Sequence, residues 1–112
     1  MIISKTTPFT QDEINKLKEI FGVYIKTVID IENKICSAGC QLHSDSEKIL
    51  LDQGSNQSDL WGGGVDLETK TVKLNALINI RPPENPSDEI LNLSTRQKFE
   101  ELSRWFFAVV FD

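Results

Sequence analysis

The sequence predicts an α+β fold in which two β-hairpins form a four-stranded antiparallel sheet, with the N- and C-terminal helices packed on one face. Segments with the apolar spacing of a helix lie near both ends of the chain, and segments with strand-like alternation lie between them. The chain has 112 residues, which is close to the commonest size of one domain. We therefore expect residues 1–112 to form a single α+β domain.

The first helix is predicted over residues 11–21. Thr10 and Glu13 have the spacing of a capping box, in which each side chain accepts a hydrogen bond from a free backbone N–H of the first turn. The apolar residues that follow recur at helical spacing: Ile14, Leu17 and Phe21. Gly22 provides a stop, so both ends of this helix are defined.

The first hairpin is predicted from strands near residues 23–31 and 34–42, joined by a turn at Glu32-Asn33. This register places apolar or small residues opposite each other on one face: Ile29 with Cys36, Thr27 with Ala38, Ile25 with Cys40 and Val23 with Leu42. The other face carries Tyr24, Lys26, Asp30, Ser37, Gly39, Gln41 and His43. We therefore expect a sheet with one covered face and one polar face.

A short second helix is expected after this hairpin. Ser44 and Glu47 repeat the capping-box spacing, and Gly54 ends the segment. Because residues 48–53 are few and rich in apolar side chains, a strand is the alternative.

The second hairpin is predicted from strands near residues 59–67 and 70–81, with a turn at Glu68-Thr69. It pairs Val65 with Val72, Gly63 with Leu74 and Trp61 with Ala76. Because a residue before proline is held extended, Arg81 is expected to keep the strand register and to point with Asn75 and Asn79. These side chains could bind a carboxylate or phosphate. The alternative is a solvated face on which Arg81 pairs with an acid such as Asp30 or Asp59.

The C-terminal helix is predicted over about residues 95–110. Ser94 and Gln97 form a third capping-box pattern, and the apolar stripe continues through Phe99, Leu102, Phe106 and Val109. The segment 105–111 is apolar all round the helix, and since one helix face can be buried in a small core, Trp105, Phe107 or Phe111 is expected to lie outside it. Such a patch usually marks an interface, and it predicts a homodimer through this helix. Complete burial within one chain is the alternative.

The composition excludes several classes of protein. Twelve Lys and Arg against seventeen Asp and Glu give a net charge of −5, which argues against non-specific binding to nucleic acid or an anionic membrane. The longest apolar run has seven residues, far short of the roughly 20 that span a bilayer. The first residues lack the pattern of a secretory signal, so we expect a cytoplasmic protein whose two cysteines are reduced.

Candidate chemistry centres on the single histidine. The segment His43-Ser44-Asp45-Ser46-Glu47 could form a divalent-metal site or the acid–base pair of a hydrolase, and a simple helix start is the alternative. Cys36, Cys40 and His43 supply only three of the four ligands of a structural zinc site, and the two cysteines are expected to be buried thiols. The glycines at 62–64 match no phosphate- or dinucleotide-binding pattern, so we expect no cofactor. Because the zinc ligands are incomplete, we also expect no metal.

Two short motifs carry a family resemblance: Asp59-Leu60-Trp61-Gly62 and Ile78-Asn79-Ile80-Arg81-Pro82. With them, the chain resembles a small bacterial and archaeal family catalogued as a domain of unknown function. The short turn at Glu68-Thr69 departs from the family's longer one. The resemblance implies no activity, but it gives weight to the residues that match its pattern: His43, Ser55, Gln57, Asp59, Trp61, Asn79 and Arg81.

These seven residues are expected to converge where the two hairpins open, with Ser55 and Gln57 in the loop between them. A polar cluster of loop and strand ends predicts a ligand site. The first hypothesis is a dimeric binding module that holds a small anionic ligand or a peptide carboxylate near His43, Asn79 and Arg81. The second is an enzyme, such as a hydrolase, with His43 as base and a carboxylate or metal as partner: Asp45, Glu47 or Asp59. The third is a structural subunit of a larger assembly.

Overall fold

The computed structural model describes residues 1–111, so Asp112, the last residue of the predicted domain, lies outside the described residues. The strands are β1 (Ile3–Lys5), β2 (Tyr24–Asp30), β3 (Ile35–Ala38), β4 (Leu60–Asp66) and β5 (Thr71–Lys73). The helices are α1 (Gln11–Phe21), α2 (His43–Asp52), α3 (Leu93–Phe106) and the short α4 (Ala108–Phe111). Two 3₁₀ turns cover Gln57–Asp59 and Leu77–Asn79. The α+β prediction is confirmed.

The sheet has five strands in residues 1–111, not the predicted four. Their order is β1-β3-β2-β4-β5, and every neighbouring pair is antiparallel. The additional strand, β1, pairs with β3 through Ile3 opposite Ala38. Three residues are too short for an alternation to stand out in the sequence. The two hairpins meet through β2 and β4, which pair over seven residues from Tyr24 opposite Asp66 to Asp30 opposite Leu60.

The first hairpin has the predicted register over a shorter length. Ile29 lies opposite Cys36, and Thr27 lies opposite Ala38, as predicted. The strand β3 ends at Ala38 because Gly39 turns into the left-handed region, with φ of 90°. The predicted ladder pairs Ile25–Cys40 and Val23–Leu42 are therefore wrong.

The second hairpin is shorter still. Val65 lies opposite Val72 as predicted, but β5 ends at Lys73, so the predicted pairs of Gly63 and Trp61 are wrong. The chain then leaves β4, and Asn75 forms an isolated bridge with Glu89. The part of the strand predicted for residues 74–81 does not form. A 3₁₀ turn takes its place, and the Asn79 side chain, not a strand backbone, bonds to β4.

The sheet is covered on both faces rather than on one. The main core lies between one face and helices α1 and α3, and its fully buried members include Leu17, Ile25, Ile29 and Phe99. A second, smaller core forms on the other face from Val28, Leu50 and Leu60. The face predicted to be polar is therefore partly covered by α2, which packs through Leu50 over Val28.

One of the three predicted capping boxes is present. Thr10 and Glu13 cap α1 as predicted, with both reciprocal hydrogen bonds. Helix α2 begins earlier, at His43, and its N-cap Leu42 has no side chain that can accept a hydrogen bond. Helix α3 is capped by Asn92, whose side chain accepts from the Thr95 backbone N–H. The boxes predicted at Ser44 and Ser94 are wrong because both serines lie inside their helices.

The C-terminal segment buries more of its aromatic side chains than predicted. Phe107 is fully buried and packs on Phe9, with ring centroids 5.0 Å apart. The long helix ends at Phe106, and this break lets the consecutive residues Phe106 and Phe107 both enter the core. Phe111 is partly buried beneath Arg104, whose guanidinium lies 4.7 Å from the ring centroid. Of the three predicted interface residues, Trp105 remains exposed, at 46%.

Both cysteines are buried and unpaired, as predicted for Cys36 and Cys40. Burial raises the pKa of both thiols, so they stay protonated at neutral pH. Among residues 1–111, every helix is either too short or too polar to cross a bilayer.

Candidate functional site

A groove of about 490 Å³ lies where the end of β3 leads into α2. Its walls come from β2, the first turn of α2 and the segment between β5 and α3. The lining contains both polar and apolar residues, among them Tyr24, Lys26, Leu42, His43, Leu77 and Asp88. Of the seven residues singled out in the sequence, the groove contains His43.

The hydrogen bond made by His43 determines which of its ring nitrogens carries the proton. Its Nε2 lies 2.6 Å from the Gly63 carbonyl oxygen, and because a carbonyl accepts only, Nε2 must carry a proton. Burial lowers the pKa of His43 below its usual 6.5, so the ring is neutral at pH 7 and Nδ1 holds a lone pair. Within residues 1–111, Nδ1 has no hydrogen-bond partner and is not sealed from solvent. The groove therefore presents a hydrogen-bond acceptor of fixed tautomer.

The end of the groove next to His43 combines a helix N-terminus with one lysine, and Asp45 lies in the same first turn. The first turn of α2 has no side-chain cap, since leucine occupies the N-cap position. Uncapped N–H groups and the helix dipole favour an anion at this end. Lys26 adds a full positive charge there, and its Nζ is held by a hydrogen bond of 2.8 Å to the Gln41 carbonyl oxygen.

The rest of the lining includes aliphatic side chains and one acidic residue. Leu42 is 61% exposed and Leu77 is 77% exposed, so two large aliphatic side chains stand open at the rim. Asp88 contributes an exposed carboxylate to the lining. A bound molecule would therefore meet positive charge at the α2 end, aliphatic surface at the rim and one negative charge.

Arg81 does not line this groove, and it donates its hydrogen bonds to backbone groups of the protein. It donates to the backbone carbonyl oxygens of Gln57 (3.2 Å), Leu60 (2.6 Å) and Ile78 (3.2 Å). Its guanidinium also stacks on Trp61, 4.0 Å from the ring centroid. The expectation that Arg81 lies on a strand face, free for a ligand or paired with Asp30 or Asp59, is therefore corrected. It joins three segments of backbone.

Asn79 is also a framework residue. Its side chain is fully buried and bonds to both backbone groups of Gly62, accepting from the N–H at 2.8 Å and donating to the carbonyl at 2.9 Å. It also donates to the Asp88 carbonyl oxygen at 3.0 Å. The amide thus ties the loop that carries Asp88 to β4. The predicted position of Asn79 on a solvated strand face is wrong.

Asn85 has a comparable role that the sequence did not indicate. Its buried Nδ2 lies 2.8–2.9 Å from the carbonyl oxygens of Asn79, Ser87 and Glu89. Its Oδ1 accepts from the Leu91 N–H. The position of Asn85 between prolines suggested only an extended connector, and no spacing pattern marks an asparagine that bonds within its own loop.

Ser55 closes the turn of the first hairpin. Its hydroxyl donates to Asp30 Oδ2 at 2.6 Å, and Asp30 also accepts from the backbone of Glu32 and Asn33. Burial of Asp30 opposes ionisation, but these hydrogen bonds outweigh it and lower the pKa of the carboxyl. Ser55 therefore stabilises a turn.

Gln57 and Asp59 lie in the 3₁₀ turn before β4. Gln57 donates to Glu47 on α2 at 3.4 Å, and the Asp59 carbonyl oxygen accepts from the Ile31 N–H at 3.0 Å. The seven predicted residues are thus divided between the groove, the region around Trp61 and the turn at Asp30. Contacts join Gln57, Trp61, Asn79 and Arg81 around the start of β4, whereas Ser55 bonds to Asp30 and His43 bonds to Gly63.

The acidic residues after His43, Asp45 and Glu47, lie within α2. In residues 1–111, no group of three or more His, Cys, Asp and Glu side chains is placed to hold a metal ion. The segment is a helix start, which was the alternative interpretation. The groove also contains polar residues that the sequence did not mark as site residues, among them Lys26, Tyr24 and Asp88. A signal existed for the first two, because they share with His43 the polar face of the predicted hairpin.

A family model described as "Protein of unknown function (DUF5674)" matches residues 1–106. No curated protein and no solved structure matches the chain. The match confirms the resemblance to a family of unknown function. The family description names no activity.

Proposed function

The chain belongs to the family of unknown function whose model covers residues 1–106, and we propose that it is a binding module for a small anionic ligand. The ligand occupies the groove beside His43, and its chemical class is a carboxylate with an aliphatic portion. The observation that carries this proposal is the uncapped first turn of α2, which opens on the groove next to Lys26.

Each wall of the groove supports one part of this ligand. The carboxylate lies at the α2 N-terminus, where the N–H groups of the first turn and the Lys26 ammonium favour negative charge. The aliphatic portion lies against Leu42 and Leu77, which are otherwise left in water. His43 Nδ1 accepts a hydrogen bond from a hydroxyl or amine of the ligand. Arg81 and Asn79 hold the groove in shape and do not touch the ligand.

A second candidate function is supported by the state of His43. A neutral imidazole with one nitrogen hydrogen-bonded to a carbonyl and the other free is the arrangement of a general base. An enzyme at this site would use Nδ1 to take a proton from its substrate. Since Asp88 is the carboxylate that lines the groove, it replaces Asp45, Glu47 and Asp59 as the acidic partner. We also propose a reducing, cytoplasmic setting, which the two unpaired cysteines support.

Backbone amide NMR with small carboxylates tests the binding function. We expect acetate, isovalerate and 2-hydroxyisovalerate to shift the amides of the first turn of α2, with affinity rising in that order. Lys26→Met should weaken binding by about tenfold, since Lys26 is the one lysine or arginine among the described residues that line the groove.

A matched control separates site binding from a general charge effect. Lys16→Met makes the same charge change on α1, on the opposite face of the sheet, and should leave the affinity unchanged. If no carboxylate shifts the α2 amides at about 50 mM, or if both variants weaken binding equally, the binding function is wrong. Slow chemical conversion of a bound carboxylate, abolished by His43→Gln, would favour the enzyme instead.

A further inference from the structure

A second groove lies beside α3 and shares no lining residue with the first. It has a volume of about 700 Å³ and runs between the turn that joins β2 to β3 and the exposed side of α3. The turn contributes Ile31, Glu32 and Lys34, and the helix contributes Lys98, Glu101 and Trp105. Leu102 completes the lining.

The centre of this groove is apolar and carries one large aromatic ring. Trp105 is 46% exposed, and its inner edge rests on Phe106 with ring centroids 4.9 Å apart. Ile31 and Leu102 beside it are partly buried against the main core. A supported, half-exposed tryptophan in an apolar groove has the character of the anchors that dominate the energy of protein interfaces.

The charges around this centre are balanced, unlike those of the chain as a whole. The groove carries two lysines, Lys34 and Lys98, and two glutamates, Glu32 and Glu101. Its formal charge is therefore 2 − 2 = 0, whereas the chain has a net charge of −5. Two copies of the chain repel each other over most of their surface, but at this groove each copy offers both signs.

We propose that this groove is covered by a second copy of the chain in a two-fold symmetric dimer. Such an interface is formed by the same patch on both copies, so a residue i that contacts j is matched by j contacting i. A patch with equal numbers of lysines and glutamates around an apolar centre satisfies this requirement. A patch of one sign would exclude it.

The order of residues along α3 specifies how the two copies meet. Lys98 and Glu101 lie one turn apart on one face of the helix, and Trp105 lies one turn further on the same face. If the two α3 helices cross antiparallel about the midpoint of Lys98 and Glu101, each Lys98 faces Glu101 of the second copy. Trp105 then lies over the beginning of the second copy's α3. The two ion pairs thus define the register, and the two tryptophans supply the buried area.

Sedimentation velocity between about 1 and 200 μM protein tests the dimer. The wild-type chain should sediment as a dimer at the upper concentrations. Lys98→Glu and Glu101→Lys should each raise the dimer dissociation constant at least about tenfold, because each places like charges opposite one another twice. The double variant K98E/E101K should restore the wild-type affinity, since it exchanges the two charges and keeps them complementary.

Mixing supplies the control for folding and register. An equimolar mixture of the two single variants should form a heterodimer more tightly than either variant forms a homodimer, which a misfolded chain could not do. Lys48→Glu, an exposed change of the same charge on α2, should leave dimerisation unchanged. A wild-type monomer at 200 μM would overturn the proposal, and so would a dimer that is insensitive to the charge reversals. Neither result bears on the carboxylate groove.

Discussion

Replacing Asn79 by alanine should destabilise the protein far more than replacing Asn75, four residues earlier. The Asn79 amide makes three hydrogen bonds, two to Gly62 and one to the Asp88 carbonyl oxygen. Gly62 is itself buried, so no water replaces the lost partner. Asn75 is exposed, and its side chain makes no hydrogen bond within the described residues.

The size of the effect follows from the groups left without partners. A buried N–H or carbonyl that loses its partner costs about 1–3 kcal/mol, so Asn79→Ala should cost about 4 kcal/mol in all. That is a large part of the roughly 5–15 kcal/mol that stabilises a domain. With an m-value of about 1.5 kcal/mol/M, the urea midpoint should fall by about 2.7 M. Asn75→Ala should change the free energy of unfolding by less than about 0.5 kcal/mol.

Asn79→Asp separates hydrogen bonding from loss of volume. The aspartate has nearly the same size and can accept from the Gly62 N–H, but its carboxylate cannot donate to the two carbonyls. It should therefore be at least as destabilising as alanine at pH 7. Urea unfolding followed by circular dichroism measures all three variants. A cost below about 1 kcal/mol for Asn79→Ala, or equal costs at positions 75 and 79, would refute this account of the loop.

Three further predictions concern other parts of the framework. The imidazole of His43 should carry its proton on Nε2 at pH 7 and titrate with a pKa below 6.5, and NMR that shows a proton on Nδ1 instead would contradict the hydrogen bond to Gly63. Because folding lowers this pKa, the unfolded chain takes up the proton at a higher pH than the folded chain does. The contribution of His43 to the free energy of unfolding is therefore full above pH 6.5 and is lost as the pH falls toward the lowered pKa. His43→Gln should flatten this part of a curve of Tm against pH. Gly63→Ala should cost about 3 kcal/mol by thermal unfolding, since the added Cβ would meet the Lys73 carbonyl oxygen and lie 2.8 Å from the Phe99 ring. Arg81→Lys should cost about 2 kcal/mol, because an ammonium cannot reproduce the planar contacts to three carbonyls and the stacking on Trp61; an unchanged urea midpoint would contradict it.

The parts of the fold that follow a local rule could be predicted from the sequence. The Thr10 capping box, the stop at Gly22 and the pairing of Ile29 with Cys36 each depend on neighbours within a few residues or on simple alternation. The failures occur where a distant group competes with the local rule. Ser44 has the spacing of a cap, but α2 begins one residue before it, where His43 reaches the Gly63 carbonyl across the sheet.

The candidate site could be predicted only in part, for the same reason. His43, which the sequence singles out as the one histidine before a predicted helix, does line the groove, and its role as a ligand-binding residue stays a prediction. Arg81 was expected to face solvent because its proline holds it extended, and residue 81 is indeed outside a helix. The segment before it, however, contains a 3₁₀ turn over Leu77–Asn79, so the strand alternation used to orient Asn79 and Arg81 does not apply. No spacing in the sequence distinguishes this turn from a continued strand.

The two family-like motifs therefore have a different meaning from the one that their polarity suggests. Arg81 stacks on Trp61, and Asn79 bonds to Gly62, so residues of one motif hold residues of the other. Their bonds fix the loop whose outer side supplies Leu77 and Asp88 to the groove. A framework of this kind constrains the shape of a site without choosing its ligand. Related chains could then keep both motifs and still bind different ligands through the side chains of Lys26, Leu77 and Asp88, none of which takes part in the framework bonds.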